Sequence, residues 1–137
     1  MSIFEKSNIR GYKFLDRCVT LPNYIITFYI EDIPSAQIML KEILGYYKGV
    51  TYDCDIKSIS ENEQIKIEFF NGSIINLITK ENMIPNICSQ TVFMDSRIRE
   101  TYIKEVIKPN IDRYVLGEGN AMLNPKPIYL NLLNQEG

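Results

Sequence analysis

The chain has 137 residues, of which 45% are hydrophobic and 23% are charged, and its formal net charge is -2. This length fits one domain with a sizeable core, and the composition excludes a disordered tail. The small negative charge excludes a global attraction to nucleic acid or anionic lipid, and no segment approaches the roughly 20 apolar residues of a membrane span.

The first regular element is a buried strand followed by a helix. Residues 23–31, NYIITFYIE, are β-branched and aromatic almost throughout, which is typical of a strand buried on both faces. Over residues 32–49 the apolar spacing becomes helical, and Asp32 or Ser35 can cap the exposed amides. The predicted buried face of this helix consists of Ala36, Met39, Leu40, Ile43, Leu44 and Tyr47.

A hairpin is the clearest local feature of the middle of the chain. Residues 51–58 alternate weakly and predict an edge strand. Residues 64–70 and 73–79 then predict two antiparallel strands, with Asn71 and Gly72 supplying the positive φ angles of a two-residue turn.

A second strand and helix follow the hairpin. TVFMD at 91–95 is short and apolar, as an internal parallel strand would be. A helix is predicted to start at Ser96, which would cap it, and to stop at Pro109. Its predicted buried side consists of Ile98, Tyr102, Ile103, Val106 and Ile107.

The predicted fold is α/β, with a mixed sheet of about five strands, one hairpin at 64–79 and two or more packed helices. The whole chain, 1–137, is expected to form a single domain. Within it, we expect an N-terminal segment (1–22), a core (23–114) and a C-terminal arm (115–137) in which IYLNLL is a final strand or a docking arm.

The side-chain inventory limits the possible chemistry. The chain contains no histidine, which removes the commonest general base and the Ser-His and Cys-His nucleophile arrangements. Its cysteines, Cys18, Cys54 and Cys88, show no metal-ligand spacing and are expected to be small buried hydrophobes in a reducing cytoplasm. The N-terminus carries no signal peptide, so we expect a cytoplasmic protein.

The stretch TVFMDSRIRE, 91–100, raises the question of hydrolysis. An apolar strand that delivers an aspartate to its C-terminal edge is how nucleotide-hydrolysing α/β domains hold magnesium. Asp95 is therefore a candidate site residue. The alternative is that Asp95 merely ends a strand before a helix cap.

The ordered set of these motifs resembles the ATPase domain of phage large terminase subunits, the motors that package DNA. The hairpin IEFFNGSIINLIT, the strand TVFMDSRI and the run YIKEVIKPNIDRY carry the resemblance, which covers roughly residues 23–114. It implies that Asp95 corresponds to the acidic residue of the family's Walker B strand. The implied partner is the packaging apparatus, the DNA that it handles, or a host or competitor protein that meets it.

Two departures from that family argue against hydrolysis. No GxxxxGK[ST] phosphate loop occurs, and RGYKFLDR, the nearest stretch upstream of the first strand, lacks a hydroxyl residue after its lysine. Ser96 stands where the family has a catalytic glutamate, and serine is no carboxylate base. We therefore expect a protein without catalytic turnover, cofactor or bound metal.

Two further groups of residues are candidates for binding. Arg97, Arg99 and Lys104, with Lys108, give the predicted helix a basic face that either binds phosphate or is simply solvated, with Glu100 and Lys104 paired. Tyr46, Tyr47 and Tyr52 straddle a helix end and a loop, so we expect them to be exposed. They would form a stacking surface or the rim of the core.

The function favoured by the sequence is that of a small, phage-encoded, non-catalytic protein that binds a protein partner, with DNA as another possible partner and no membrane. A homo-oligomer is also possible. One alternative is an inhibitor of a host defence protein. Another is a metal-dependent nuclease or nucleotide-handling enzyme in which Asp95 converges with Asp53, Asp55 or Glu68.

Overall fold

The computed structural model describes residues 12–83, 89–110 and 127–130. These residues form an α/β fold with helices packed on a mixed sheet, as predicted. The elements are α1 (Tyr12–Thr20), β1 (Ile25–Tyr29), α2 (Ile33–Gly49), a 3-10 turn (Asp53–Asp55), β2 (Ile56–Ser60), β3 (Ile65–Phe69), β4 (Ile74–Ile78), β5 (Thr91–Asp95), α3 (100–110, with a π turn at Ile103–Ile107) and β6 (Ile128–Leu130).

The described strands form one six-stranded sheet in the order β2-β3-β4-β1-β5-β6. β4, β1, β5 and β6 are mutually parallel, whereas β3 is antiparallel to both β2 and β4. The sheet has one strand more than the five expected, because residues 56–60 and 128–130 both pair at its edges. Of the two alternatives predicted for IYLNLL, a final strand or a docking arm, the strand is confirmed over Ile128–Leu130, which pairs with β5.

Alternating side chains of the central strands divide the core between the two faces of the sheet. One face packs against α1 and α2, and its larger cluster includes Leu15, Cys18, Ile26, Phe28, Met39, Ile43, Tyr47, Ile75 and Phe93. The other face packs against α3 through Tyr29, Ile78, Val92, Met94, Ile98 and Ile107. Each fully buried aliphatic or aromatic side chain here contributes about 1.5–3 kcal/mol to stability.

The helix α2 confirms the strand-to-helix unit predicted after residue 31. Asp32 is extended and its Oδ1 accepts the Ser35 amide at 2.8 Å, so Asp32 is the N-cap. The predicted apolar face is buried, except that Leu44 is only partly buried. α2 is therefore held by both its cap and its packing.

The hairpin 64–79 is confirmed, but its turn differs from the prediction. Among the turn residues only Gly72 has a positive φ, of +89°. The Gly72 amide donates to the Phe69 carbonyl at 3.1 Å and the Phe69 amide donates to the Ser73 carbonyl at 2.9 Å. This is a three-residue connection with a glycine bulge, so the predicted two-residue turn is wrong.

The helix after β5 also differs from the prediction. It begins at Glu100, and Ser96 lies in a turn rather than at an N-cap. The reason is that Asp95 organises the intervening residues, since its carbonyl accepts the Ile98 amide at 3.1 Å and its carboxylate accepts the Arg97 amide. Pro109 does not stop the helix, because residues 108–110 are still helical beyond a π turn at Ile103–Ile107.

The cysteine prediction holds in part. Cys18 is buried, and this burial raises the pKa of its thiol to about 12. Cys54 is exposed, contrary to expectation, because it lies in the 3-10 turn before the edge strand β2. Cys88 lies outside the described residues.

In the part of the chain that the structure describes, no helix is both long and apolar enough to cross a membrane.

Candidate functional site

The carboxyl ends of β1 and β5 define the place where a ligand site is expected in this topology. β1 leads into α2 on one face of the sheet, whereas β5 leads toward α3 on the other. The two connections therefore leave the sheet in opposite directions. In open α/β sheets, ligands bind in the crevice at such a switch point.

Asp95 lies in this crevice and is fully buried. Its Oδ2 accepts the Glu31 amide at 2.9 Å and the Arg97 Nη2 at 2.8 Å. Its Oδ1 accepts the Arg97 amide at 3.0 Å and the Arg97 Nε at 3.1 Å. Both carboxylate oxygens are thus satisfied by protein donors, and Asp95 joins the ends of β1 and β5.

Arg97 is the main partner of Asp95 in the crevice. Its guanidinium forms a forked pair with Asp95, and its Nη2 also donates to the buried Ser35 Oγ at 2.7 Å. The hydrogen bonds to Asp95 raise the pKa of Arg97 above its ordinary value. The result is a clamp, formed by Ser35, Asp95 and Arg97, that ties the first turn of α2 to the end of β5.

Asp32 borders this Ser35–Asp95–Arg97 clamp without contacting Asp95. Hydrogen bonds from Ser35 hold the pKa of the Asp32 carboxyl below its ordinary value, and the nearby positive charge of Arg97 acts in the same direction. The crevice therefore contains two carboxylates and one guanidinium, and each of these groups is hydrogen-bonded to other groups of the protein. A bound anion would meet an arginine that is already neutralised.

The arrangement determines what Asp95 can do chemically. Magnesium requires about six ordered oxygens in near-octahedral geometry, and Asp95 would have to release Arg97 to contribute one. Ser96 is exposed, and its amide donates to the Leu130 carbonyl at 2.8 Å. The clamp fits a structural role for Asp95 better than a catalytic one.

The other acids proposed to converge with Asp95 lie at the opposite end of the sheet. Asp53 and Asp55 precede β2, and Glu68 pairs with the first residue of β4. Glu68 is held by Lys66 at 2.9 Å and by the Ser58 hydroxyl. Among the described residues, no group of three or more candidate metal ligands occurs. The predicted convergence on Asp95 is therefore wrong.

The basic residues after β5 do not share one surface. Arg97 lies before the helix and turns inward, so the predicted continuous basic face from residue 97 is wrong. Arg99 is exposed, and Lys104 is exposed and pairs with Glu100 at 3.7 Å, as predicted.

An open groove of about 340 Å³ lies beside Arg99. Its lining residues are Glu31, Lys80, Ile98, Arg99, Thr101, Tyr102 and Glu105. Its charges are mixed, so no ligand of one sign is favoured.

The three candidate tyrosines are less exposed than expected. Tyr47 is fully buried, and its hydroxyl donates to the Leu15 carbonyl at 2.7 Å, so the prediction of exposure is wrong for this residue. Tyr46 is half-buried, stacks on Tyr12 at 4.5 Å between ring centroids, and donates to Asp16. Tyr52 is also half-buried. Tyr46 and Tyr47 therefore hold α1 against α2.

Two sets of residues with defined roles were missed by reading the sequence. The sequence predicts Ser35 only as a possible cap, whereas its hydroxyl also accepts a hydrogen bond from the Arg97 guanidinium. The sequence predicts only a turn role for Asn71, whereas its side chain donates to the Cys18 carbonyl at 2.9 Å and the Leu21 carbonyl at 3.2 Å. Ser73 is predicted only as the start of a strand, whereas its hydroxyl accepts the Tyr24 amide and donates to the Leu21 carbonyl. A short polar residue inside an otherwise apolar context is the signal that could have indicated both.

Comparison with known proteins adds no assignment. The chain matches no protein-family model, and neither curated protein sequences nor solved structures give a significant match.

Proposed function

We propose that this chain is a small phage-encoded protein of the host cytoplasm that acts by binding a macromolecular partner and does not turn over a substrate. The observation that carries the proposal is the Ser35–Asp95–Arg97 clamp. It occupies the crevice in which an α/β domain of this topology would hold its ligand.

The clamp opposes phosphoryl-transfer chemistry in particular. Such chemistry needs an accessible carboxylate for the metal and a group that orients the attacking water. Asp95 is fully buried under its own hydrogen bonds, and the next residue is Ser96. Activating Asp95 would require breaking a forked ion pair in a buried site, which costs several kcal/mol.

The resemblance to terminase ATPase domains extends the proposal to the class of partner. A chain that retains the sheet of that domain and closes its crevice would pair with proteins or DNA that the domain normally meets. This step is an analogy of fold, and function is decided by the binding surface.

A second candidate is inhibition of a host defence protein. Its binding surface would include Phe70, which is 71% exposed at the tip of the hairpin. Large exposed aromatic side chains are typical anchors of protein interfaces. This candidate differs from the first in the identity of the partner and not in the mode of action.

The proposal is tested by measuring the melting temperature and ATP hydrolysis of the purified chain with ATP and magnesium. We expect no rise in melting temperature and no phosphate release above background. A parallel mixture with a 20-base-pair duplex, followed by light scattering, tests DNA as the partner. A saturable rise in melting temperature with ATP and magnesium that is absent in Asp95→Asn would contradict the proposal, because it would show that the clamp opens for nucleotide.

A further inference from the structure

Exposed apolar side chains gather at the amino end of the parallel strands, opposite the clamp. Leu21 follows α1, Val50 follows α2, and Phe70 lies at the hairpin tip; they are 45%, 38% and 71% exposed. Phe70 has the highest exposure among the large hydrophobic side chains of the described residues. We use the name hairpin-tip surface for Phe70 together with Asp53 and Asp55 of the adjacent 3-10 turn.

Hydrogen bonds join the segments that carry this surface. The Phe70 amide donates to the Asp55 carbonyl at 3.0 Å, which places the hairpin tip against the 3-10 turn. The Asn71 side chain donates to the Leu21 carbonyl at 3.2 Å, which places the same tip against the end of α1. Three segments that are distant in sequence are therefore held next to one another at the amino end of the sheet.

The base of the hairpin-tip surface is rigid. Gly72 has a φ of +89° and lies directly against the Asn23 side chain, and Asn23 itself has a φ of +57°. The buried Ser73 hydroxyl accepts the Tyr24 amide at 3.0 Å and donates to the Leu21 carbonyl at 2.9 Å. A rigid support reduces the entropy lost when a partner binds, so Phe70 is presented in a form suited to an anchor residue.

The charge next to Phe70 indicates the chemistry of the partner. Asp53 is exposed and Asp55 is half-buried. No ion pair of the described residues involves either carboxylate. Two neighbouring carboxylates repel a phosphate backbone and attract lysine or arginine, so this surface favours a basic protein segment over nucleic acid.

We propose that the hairpin-tip surface docks a protein segment that presents an aromatic or aliphatic side chain flanked by lysine or arginine. The inference rests on the proposed function as a binding protein and specifies the surface and the chemistry of the partner. Phe70 would contact the apolar side chain of the partner, and Asp53 and Asp55 would contact its basic flanks.

The test is selection from a phage-displayed library of random dodecapeptides on the full chain, with counter-selection on Phe70→Ser. We expect enriched sequences in which lysine or arginine flanks an apolar side chain. A synthetic peptide of the enriched sequence should bind Phe70→Ser at least tenfold more weakly. Asp53→Asn/Asp55→Asn should weaken binding several-fold and reduce its salt dependence. The matched control is Ile38→Ser, which removes a side chain that is 54% exposed on α2 and should leave binding unchanged.

Each other outcome overturns the inference in a distinguishable way. If no sequence is enriched over the Phe70→Ser variant, or if the enriched sequences lack basic residues, the assigned surface or chemistry is wrong. If light scattering shows a dimer that Phe70→Ser converts to a monomer, the occupant is a second copy of the chain. None of these results bears on nucleotide binding, so the proposed function is tested separately by the ATP experiment.

Discussion

The two ends of the parallel strands are stabilised by different chemistry. At the carboxyl end, the charged pair Asp95–Arg97 closes the crevice and leaves Asp95 fully buried. At the amino end, neutral groups of Asn71 and Ser73 hold the loops together, and Phe70 remains exposed. The carboxyl end, where the strand topology predicts a ligand site, is closed by the protein's own side chains. The amino end, where the topology predicts no site, presents the exposed aromatic side chain.

This difference shows that strand topology locates a crevice without deciding whether it is open. The crevice between β1 and β5 exists because the connections diverge, yet one arginine two residues after the strand engages both carboxylate oxygens of Asp95 there. The surface that is available to a binding partner then depends on which loops leave apolar side chains exposed to solvent. Substitutions at the two ends should therefore differ in effect according to the interaction that each end needs.

The largest effect is expected from Arg97→Ala at the carboxyl end. The substitution leaves the Asp95 carboxylate buried without its counter-charge, which typically costs about 3–5 kcal/mol. Urea denaturation of both proteins at pH 7 measures this loss as a difference in the free energy of unfolding. The matched control is Arg99→Ala, which removes an exposed arginine and should change stability by less than about 0.5 kcal/mol. Equal effects of the two substitutions would show that the clamp does not stabilise the fold.

A double substitution distinguishes the charge from the packing. In Asp95→Asn/Arg97→Met, no buried charge remains unpaired, so the loss of stability should be smaller than in Arg97→Ala alone. The same denaturation experiment on the unsubstituted protein, Asp95→Asn, Arg97→Met and the double variant completes a cycle and gives the coupling energy. Additive losses would mean that Asp95 and Arg97 act independently.

At the amino end, Gly72→Ala should destabilise the fold by about 1–3 kcal/mol. Alanine is strained at a φ of +89°, and its Cβ would collide with the Asn23 side chain. The control is Gly45→Ala inside α2, where an added Cβ meets no atom within 4 Å. That substitution should raise stability by about 0.5–1 kcal/mol, because alanine is the better helix former. Thermal melts of both variants should therefore move in opposite directions.

The smallest effect is expected at Asp32, which caps α2 beside the clamp. Hydrogen bonds from Ser35 lower the pKa of Asp32 on folding, so its stabilising contribution is present above the unfolded pKa of about 3.9 and is lost as the pH falls through the lower folded value. Asp32→Ala should lose about 1 kcal/mol at pH 7, and the difference should shrink below about pH 4. Asp32→Asn keeps an oxygen acceptor for the Ser35 amide and should lose less. A difference that is independent of pH would contradict the capping account.

Local pattern was sufficient to predict most elements of the sheet and the long helix. β1, α2, the hairpin and β5 are each specified by composition or period within about twenty residues. Asp95 could be placed at a strand end for the same reason. The start of α3 could not be predicted, because it depends on the Asp95 side chain accepting the Arg97 amide and holding residues 96–99 out of the helix.

The clamp itself depends on contacts between distant segments. Ser35 and Arg97 are 62 residues apart, and their contact exists only because β1 and β5 are neighbours in the sheet. The exposure of Phe70 was partly visible, since the strand pattern places it on the side of Lys66 and Glu68, opposite the buried Ile67. The burial of Tyr47 was visible in its helical spacing, which outweighs its position near a helix end.

Arg97 closes the crevice at the carboxyl ends of β1 and β5 by its hydrogen bonds to Asp95. This closure is tested most directly by following the backbone amide resonances of Glu31 and Arg97 by NMR during a titration with ATP and magnesium. Because both amides donate to Asp95, they report any opening of the clamp. The account predicts that neither resonance moves as ligand is added. A saturable shift of both resonances would contradict it and would show that the site accepts nucleotide.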